Sequence, residues 1–430
     1  LKKEVVDHRL NPIKFCSNFL ESSFCFVKDQ IFREEEKGKT MNTRIFKTLT
    51  ILVALAMLFT ACAPAATQAP AATQAPVVQT VVVMETSPAQ VVTQMVTQMV
   101  TQMVTAVPGK KIITIGFAAP GLVGGQINIQ ETLLRYASQK GWQVVVTNSN
   151  GDAQKQNDDI DQLIAQGVDA IVAVPQDSAA ICAGAAKAKA AKIPFYTIDR
   201  APSGCAINMT LQSDNFLAGQ QAGQAMVDGL KAKYGSEKGT VLEITGDLGQ
   251  NVGQLRRDGF HDILDKFPTI KVIQKVGNWD AAVGAQAVRD VLAATPTLDG
   301  IYMHSDAVYA SGTLAELKAA NKLFKRGETG HVLLTSVDGS PSGVQAVKDG
   351  WADESSNQPI PDFGLIVNFI EQELNGKPVQ EGTLTQAGAL WSPAVIKKDA
   401  DGTPLCNLAT TAVTIANADN PGLWANYVVK

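Results

Sequence analysis

The chain has 430 residues, 45% of them hydrophobic and only 6% aromatic, with a formal net charge of −4. That length allows two or three domains, and the hydrophobic share suits a globular protein with a sizeable core. The acidic balance argues against a nucleic-acid partner, which would be met by a basic face; abundant Ala, Gly and Val favour close helix-on-sheet packing over a large aromatic core.

Residues 1–40 are expected to lie upstream of the working protein, as an over-extended reading frame would. Met41-Asn42-Thr43-Arg44-Ile45-Phe46-Lys47 then forms a basic segment. An apolar run from Leu49 to Phe59 follows, and Thr60-Ala61-Cys62 closes the segment. This is the layout of a secretory signal over residues 41–61. The apolar run is about half the roughly 20 residues a membrane-spanning helix needs. Phe59-Thr60-Ala61-Cys62 resembles a bacterial lipobox, which implies lipidation at Cys62; an ordinary signal with a chance Cys is the plainer alternative. An extracytoplasmic, membrane-anchored lipoprotein is the expectation.

Residues 62–110 read as a low-complexity tether. Ala-Thr-Gln-Ala-Pro occurs twice, ending at Pro70 and Pro76, and Val-Thr-Gln-Met units follow from Thr93 to Val104. The Ala/Pro part cannot bury a core and should be extended. The four-residue period of the second part could make a helical stripe and self-associate, but its β-branched residues resist helix formation, which favours a spacer.

From Lys111 strands and helices alternate. Ile112–Phe117, Trp142–Thr147, Asp169–Pro175 and Ile193–Ile198 read as buried strands. Ile129–Lys140, Lys155–Gln166 and Ser178–Lys192 read as helices between them, the first two stopped by Gly141 and Gly167. The pattern restarts with strands Thr240–Ile244, Lys271–Val276, Gly300–Met303 and His331–Val337. Near-continuous apolar strands separated by amphipathic helices predict parallel sheets covered on both faces, here in two α/β lobes. Ligands in such folds sit beyond the carboxyl ends of the strands. Those ends carry Asp199-Arg200, Gly246-Asp247, Asn278-Trp279-Asp280, Ser305-Asp306 and Asp338-Gly339.

Three cysteines follow Cys62: Cys182, Cys205 and Cys406. In an exported protein Cys182 and Cys205, which flank one predicted strand, are the preferred disulfide; three separate thiols are the alternative. No Cys-x-x-Cys or His/Cys cluster suggests a metal, and no cofactor is expected.

Several phrases, in order, carry a resemblance. They are Ile193-Pro194-Phe195-Tyr196-Thr197-Ile198-Asp199-Arg200, Ser213-Asp214-Asn215-Phe216-Leu217-Ala218-Gly219, Arg256-Arg257-Asp258-Gly259-Phe260 and Val337-Asp338-Gly339-Ser340-Pro341, with Gln358 six residues before Gly364. Residues 111–396 resemble the ribose-binding type of periplasmic sugar-binding proteins of ABC importers. The resemblance implies the type I periplasmic-binding-protein fold, with two Rossmann-like parallel-sheet lobes joined by a multi-crossing hinge. The expected first lobe is 111–213 plus 359–391, and the second is 214–358 plus 392–430. Crossings are expected near Gln212–Asn215, Asn357–Asp362 and Leu390–Ser392.

The chemistry of a sugar site is intelligible residue by residue. Carboxylates accept from vicinal hydroxyls, Arg and amides donate back, and an aromatic plane covers the ring. Asp199 and Arg200 supply acceptor and donor from one lobe, or else form an ion pair capping the strand. Asp338 is the acceptor from the other lobe, or a helix cap. Trp279 stacks on the ring, or is a half-buried loop residue. Gln358 binds ligand beside a crossing, or is a surface amide. The resemblance places Gln126, Gln254 and Asp306 in or beside positions where the family holds other ligand residues, and the first-lobe aromatic clamp is missing. A roomier pocket and a ligand other than ribose follow.

A clamp of this kind needs no chemistry: it closes on a sugar or polyol and a membrane permease reads the closed form, with the protein a monomer. A receptor that reports its ligand, a furanosyl signal included, to a chemoreceptor or sensor kinase would use the same pocket. Gly121-Leu122-Val123-Gly124-Gly125 is not a dinucleotide fingerprint and no nucleophile elbow is present, so an enzyme is not expected. Asp399-Ala400-Asp401-Gly402 reads as a turn.

Overall fold

The computed structural model describes residues 111–122 and 124–427. Cys62, the signal, the tether and Val123 lie outside the described residues. The chain runs β1 (Thr114–Ala119), α1 (Gly125–Gln139), β2 (Gln143–Asn148), α2 (Ala153–Ala165), β3 (Ala170–Ala173), α3 (Ile181–Ala190), β4 (Phe195–Ile198) and β5 (Met209–Ser213). It continues with α4 (Asn215–Tyr234), β6 (Gly239–Thr245), α5 (Asn251–Leu264), β7 (Ile270–Val276), α6 (Ala281–Ala294), β8 (Gly300–Met303), α7 (Asp306–Ala319), β9 (Leu333–Asp338), α8 (Pro341–Lys348) and β10 (Glu354–Asn357). A 3-10 turn (Ile360–Leu365) and α9 (Ile366–Leu374) precede β11 (Gly382–Leu384), β12 (Ala394–Lys398), β13 (Pro404–Leu408) and β14 (Thr411–Val413).

Two sheets result. The first has eight strands in the order β11-β12-β13-β5-β4-β3-β1-β2, and the second six in the order β14-β10-β9-β8-β6-β7. The βαβ strands are parallel, and only β11, β12 and β14 join by antiparallel pairing. Successive residues along a strand face opposite sides of its sheet. Phe117 accordingly packs into one core cluster and Ala118 into another, and Val241 and Leu242 divide in the same way in the second sheet. Both sheets are therefore covered on both faces, which is why inner strands such as β3 and β8 are buried at every position.

The first two crossings fall where expected. Ser213 ends β5 in the first sheet, and Asp214, whose carboxylate accepts from Leu217 N at 2.9 Å, starts the helix packed on the second. After Asn357 ends β10, residues from Ile360 onward belong to the first core. The third crossing is not at Leu390–Ser392. Strands β12 and β13 extend the first sheet, with β13 parallel to β5, and the chain crosses between Leu408 and Thr411. Residues 394–408 thus belong to the first lobe. The alternation of buried Ala394 and Ile396 with exposed Val395 and Lys397 is the strand signal there. The turn joining β12 to β13 is closed by the Asp399 carboxylate, which accepts from Asp401 N and Thr403 N. Trp424 then returns to the first core, its N–H donating to Asn357 Oδ1 at 2.8 Å.

Helix α4 crosses α5 with almost no gap. A Cβ on Gly219 would stand 2.3 Å from the Arg256 carbonyl oxygen, so only glycine fits. That close approach lets Asn215 Oδ1 accept from Arg256 Nε at 2.9 Å and fixes the direction of the guanidinium.

Candidate functional site

The carboxyl ends of the strands in both sheets open onto one cavity of about 540 Å³. From the first lobe it is lined by the loops after β1 and β2, by Gln126 at the start of α1, by Gln176, and by Asp199 and Arg200 after β4. The second lobe contributes Val252 and Arg256 on α5, Asn278-Trp279-Asp280 after β7, Ser305 and Val308, and Asp338 at the end of β9; Gln358 and Ile360 come from the crossing.

Asp199 and Arg200 are nearly fully buried, at 6% and 7% exposure, with the guanidinium Nε 3.6 Å from the carboxylate. Arg200 also donates to the Pro175 carbonyl at 3.0 Å, and Gln126 Nε2 donates to Asp199 Oδ2 at 3.0 Å. Two polar atoms of this group, Arg200 Nε and Gln126 Oε1, are buried without a hydrogen-bond partner. One is a donor and the other an acceptor. Burial lowers the Arg200 pKa, with the Asp199 charge opposing the shift.

Asp338 faces them from the second lobe. It accepts from Gln358 Nε2 and Ser305 Oγ, both at 2.5 Å, and from Arg256 at 3.2 Å. Burial raises its pKa, while the Arg256 charge pulls the other way. Arg256 also donates to the His304 carbonyl. The cavity thus carries an Asp/Arg pair from each lobe. Gln358 joins the lobes, accepting from Ser213 Oγ at 2.9 Å while donating to Asp338. Trp279 lies at the cavity wall with its ring 5.5 Å from the Arg256 guanidinium carbon. Its Nε1 donates to Gln250 Oε1 at 2.6 Å and its backbone N–H to Tyr309 OH at 2.8 Å. The ring needs Gly246 beneath it, where a Cβ would stand 1.9 Å from the indole.

Of the residues expected from sequence, Gln126, Asp199, Arg200, Trp279, Asp338 and Gln358 come together here. Gln254 does not. It is exposed and donates to the Leu248 carbonyl at 2.8 Å, because two residues along a helix is a rotation of about 200° and Arg256 takes the cavity side. Arg256 is the residue sequence reasoning missed. Its signal was present: Val252, Arg256 and Phe260, four apart, form one buried face of α5. Asp306 is also not a wall residue. It lies behind the wall, accepting from Gly339 N, Ser340 N, Ser336 Oγ and Ser355 Oγ, and so cages the turn that presents Asp338. Burial, then the Asp338 charge, pushes its pKa up to about 7. Ser305, immediately before it, both lines the cavity and caps α7.

Cys182 and Cys205 are joined by a disulfide with a Cα–Cα distance of 5.8 Å, tying the segment after Arg200 to α3. Cys406 is a buried free thiol in β13, pushed up to about 12 by burial. Among the described residues no group of three or more His, Cys, Asp or Glu is arranged to hold a metal ion.

Residues 115–377 match the model of the periplasmic binding protein domain. A ribose import binding protein of Bacillus subtilis is 27% identical over 274 residues, covering 63% of this chain and 85% of that protein. A xylitol-binding protein of Mycolicibacterium smegmatis is 31% identical over 223 residues, covering 51% of this chain and 60% of its own length. Among solved structures, an ABC transporter solute-binding protein from Mycobacterium smegmatis with bound glycerol superposes with a TM-score of 0.62 at 25% identity, over 74% of this chain and all of that one. The family match spans most of the two-lobed region: the chain belongs to the periplasmic binding proteins.

Proposed function

We propose that this protein captures a sugar or polyol between its lobes and delivers it to an ABC permease from the extracytoplasmic side, tethered to the membrane through a lipid on Cys62. The single observation that carries the ligand class is the meeting of Asp199/Arg200 from one lobe with Asp338/Arg256 from the other around one cavity. Asp199 and Asp338 are matched by Arg200 and Arg256, while the third wall carboxylate, Asp280, caps α6; the alternating acceptors and donors match a polyhydroxylated neutral ligand. The Trp279 plane adds an apolar face for a ring. The sugar- and polyol-named relatives support the same class.

Thermal unfolding of residues 106–430 with pentoses, hexoses and polyols tests the reading. A ligand at about 100 times its dissociation constant adds about 2.7 kcal/mol, a rise of several degrees. A hit that is lost in Asp199→Ala and Asp338→Ala establishes the site; a hit unaffected by both moves it elsewhere. Cys62→Ala tests the anchor, since continued membrane retention of that variant refutes lipidation.

A further inference from the structure

Resting on that reading, we infer that the cavity has a second subsite, and that the physiological ligand is a sugar carrying a further group, a glycoside or a disaccharide, in preference to a free monosaccharide. The charged residues of the first lobe occupy only one part of the cavity. On the first sheet they follow β4, whereas the cavity floor continues past β3 and β1 to the loop after β2. Three strand spacings separate β4 from β2, about 14 Å at roughly 4.8 Å each. A single sugar ring held by Asp199 and Arg200 does not reach that far.

The volume agrees. About 540 Å³ lies within the roughly 300–1,000 Å³ of pockets that take drug-sized ligands, which are larger than a free pentose or hexose. The unused part is bounded by Pro120, Gly121 and Leu122 after β1 and by Asn148, Asn150 and Gly151 after β2. Its chemistry differs from the charged half: an apolar strip beside neutral amides, with no ionised side chain. Asn148 Oδ1 already accepts from Asn150 N at 3.0 Å, which leaves the Asn148 amide N–H groups and the Asn150 side chain for a ligand. Gly121 has nothing within 4 Å of a Cβ position, so the wall is open there. Apolar contact with a few neutral hydrogen bonds suits a second sugar ring or an aglycone, and disfavours a phosphate or carboxylate substituent.

The experiment is calorimetric titration of residues 106–430 with matched series, each free monosaccharide beside its methyl glycoside, phenyl glycoside and disaccharides. The expected result is that at least one glycoside or disaccharide binds about tenfold or more tightly than its free sugar. Asn150→Gly, which keeps the left-handed backbone (φ 53°) and deletes only the side chain, should remove a large part of that advantage, weakening the glycoside more than the free sugar. Free monosaccharides that bind as tightly as all their glycosides overturn the second subsite and leave the sugar-binding reading standing. An Asn150→Gly effect equal for both ligand types also overturns it. No binding in any series sinks the sugar reading and the subsite with it.

Discussion

Asn251 is the residue whose truncation reports most directly on how the lobes close. It begins α5 in the second lobe, and its side chain reaches into the first: Oδ1 accepts from Ala201 N at 3.0 Å and Nδ2 donates to Gln212 Oε1 at 2.9 Å. Its neighbours reinforce the contact. Asn251 N donates to Ser178 Oγ at 3.0 Å, Ser178 N to the Gly249 carbonyl at 3.3 Å, and Gln250 Nε2 to the Gln176 carbonyl at 2.8 Å. The segment 249–251 is therefore hydrogen-bonded across the lobes, as a latch on closure would be, and through Gln250 it also holds the Trp279 ring. Asn251→Ala removes two cross-lobe side-chain hydrogen bonds. At about 0.5–1.5 kcal/mol net for each, the closing equilibrium should shift toward open by about 1–3 kcal/mol, or roughly 5- to 150-fold. Apparent ligand affinity falls with the fraction of closed-competent protein, so titration calorimetry should show weaker binding and scattering a larger unliganded radius. Gln254→Ala, on the same helix but facing away from the cavity, is the control and should change neither. An Asn251→Ala protein with wild-type affinity and wild-type radius would refute the latch.

Three other outcomes are expected. Glu354 is buried, with one oxygen accepting from Ser356 Oγ and the other unpartnered, and burial pushes its pKa up from 4.5 to about 8. The folded state then holds a proton the unfolded state releases, so stability is fully present below the ordinary carboxylate range and is lost as pH rises through about 8; Asp306, raised to about 7, has the same sign. Melting temperature should fall over that window, and Glu354→Gln should flatten its upper part; an unchanged profile in the variant contradicts the assignment. The disulfide closes a span of 23 residues, for which loop entropy gives about 3 kcal/mol. Reductant should lower the wild-type midpoint and leave a Cys182→Ser/Cys205→Ser double variant unmoved. Gly246→Ala pushes a methyl into the Trp279 ring and should weaken ligand binding about as much as Trp279→Ala does, which titration of both variants decides.

The fold was readable because a parallel sheet covered on both faces needs apolar residues at every strand position, and helices between them need one apolar side; both patterns survive in a single sequence. Asp199, Arg200 and Asp338 were readable because strand ends are where such sheets place polar residues. Strands β11–β14 were not, since short, half-exposed strands are marked by few apolar residues and three of these, β11, β12 and β13, belong to a lobe that begins some 280 residues earlier in the chain. Arg256 was displaced by Gln254 because motif spacing was followed where helical periodicity should have decided. Asp306 has the composition of a ligand residue, but only the packing of the turn after β9 against α7 reveals that its oxygens are consumed by backbone N–H groups and serine hydroxyls.

Backbone strain adds an independent argument for the site. Among the described residues, seven non-glycine positions have positive φ: Asn150, Lys192, Asp199, Asn278, Trp279, Asn321 and Asp338. Five of them, all but Lys192 and Asn321, line the cavity that holds Asp199 and Asp338. Asn and Asp tolerate the left-handed region near φ 60°, but Trp279 and Asp338, at φ 114°, each cost on the order of 1–3 kcal/mol and persist only where the surroundings over-determine them. Here they do. Asp338 at φ 114° is held by Arg256, Ser305 and Gln358, Trp279 at φ 57° by Gln250 and Tyr309, and Asp199 at φ 67° by Gln126 and Arg200. A fold gains nothing in stability from such positions. What they provide is acceptors and a ring plane fixed in direction before ligand arrives, so less ordering cost falls on binding. That concentration of strain at the facing ends of two sheets is what a pre-organised clamp requires, and it points to the same residues as the hydrogen bonding does.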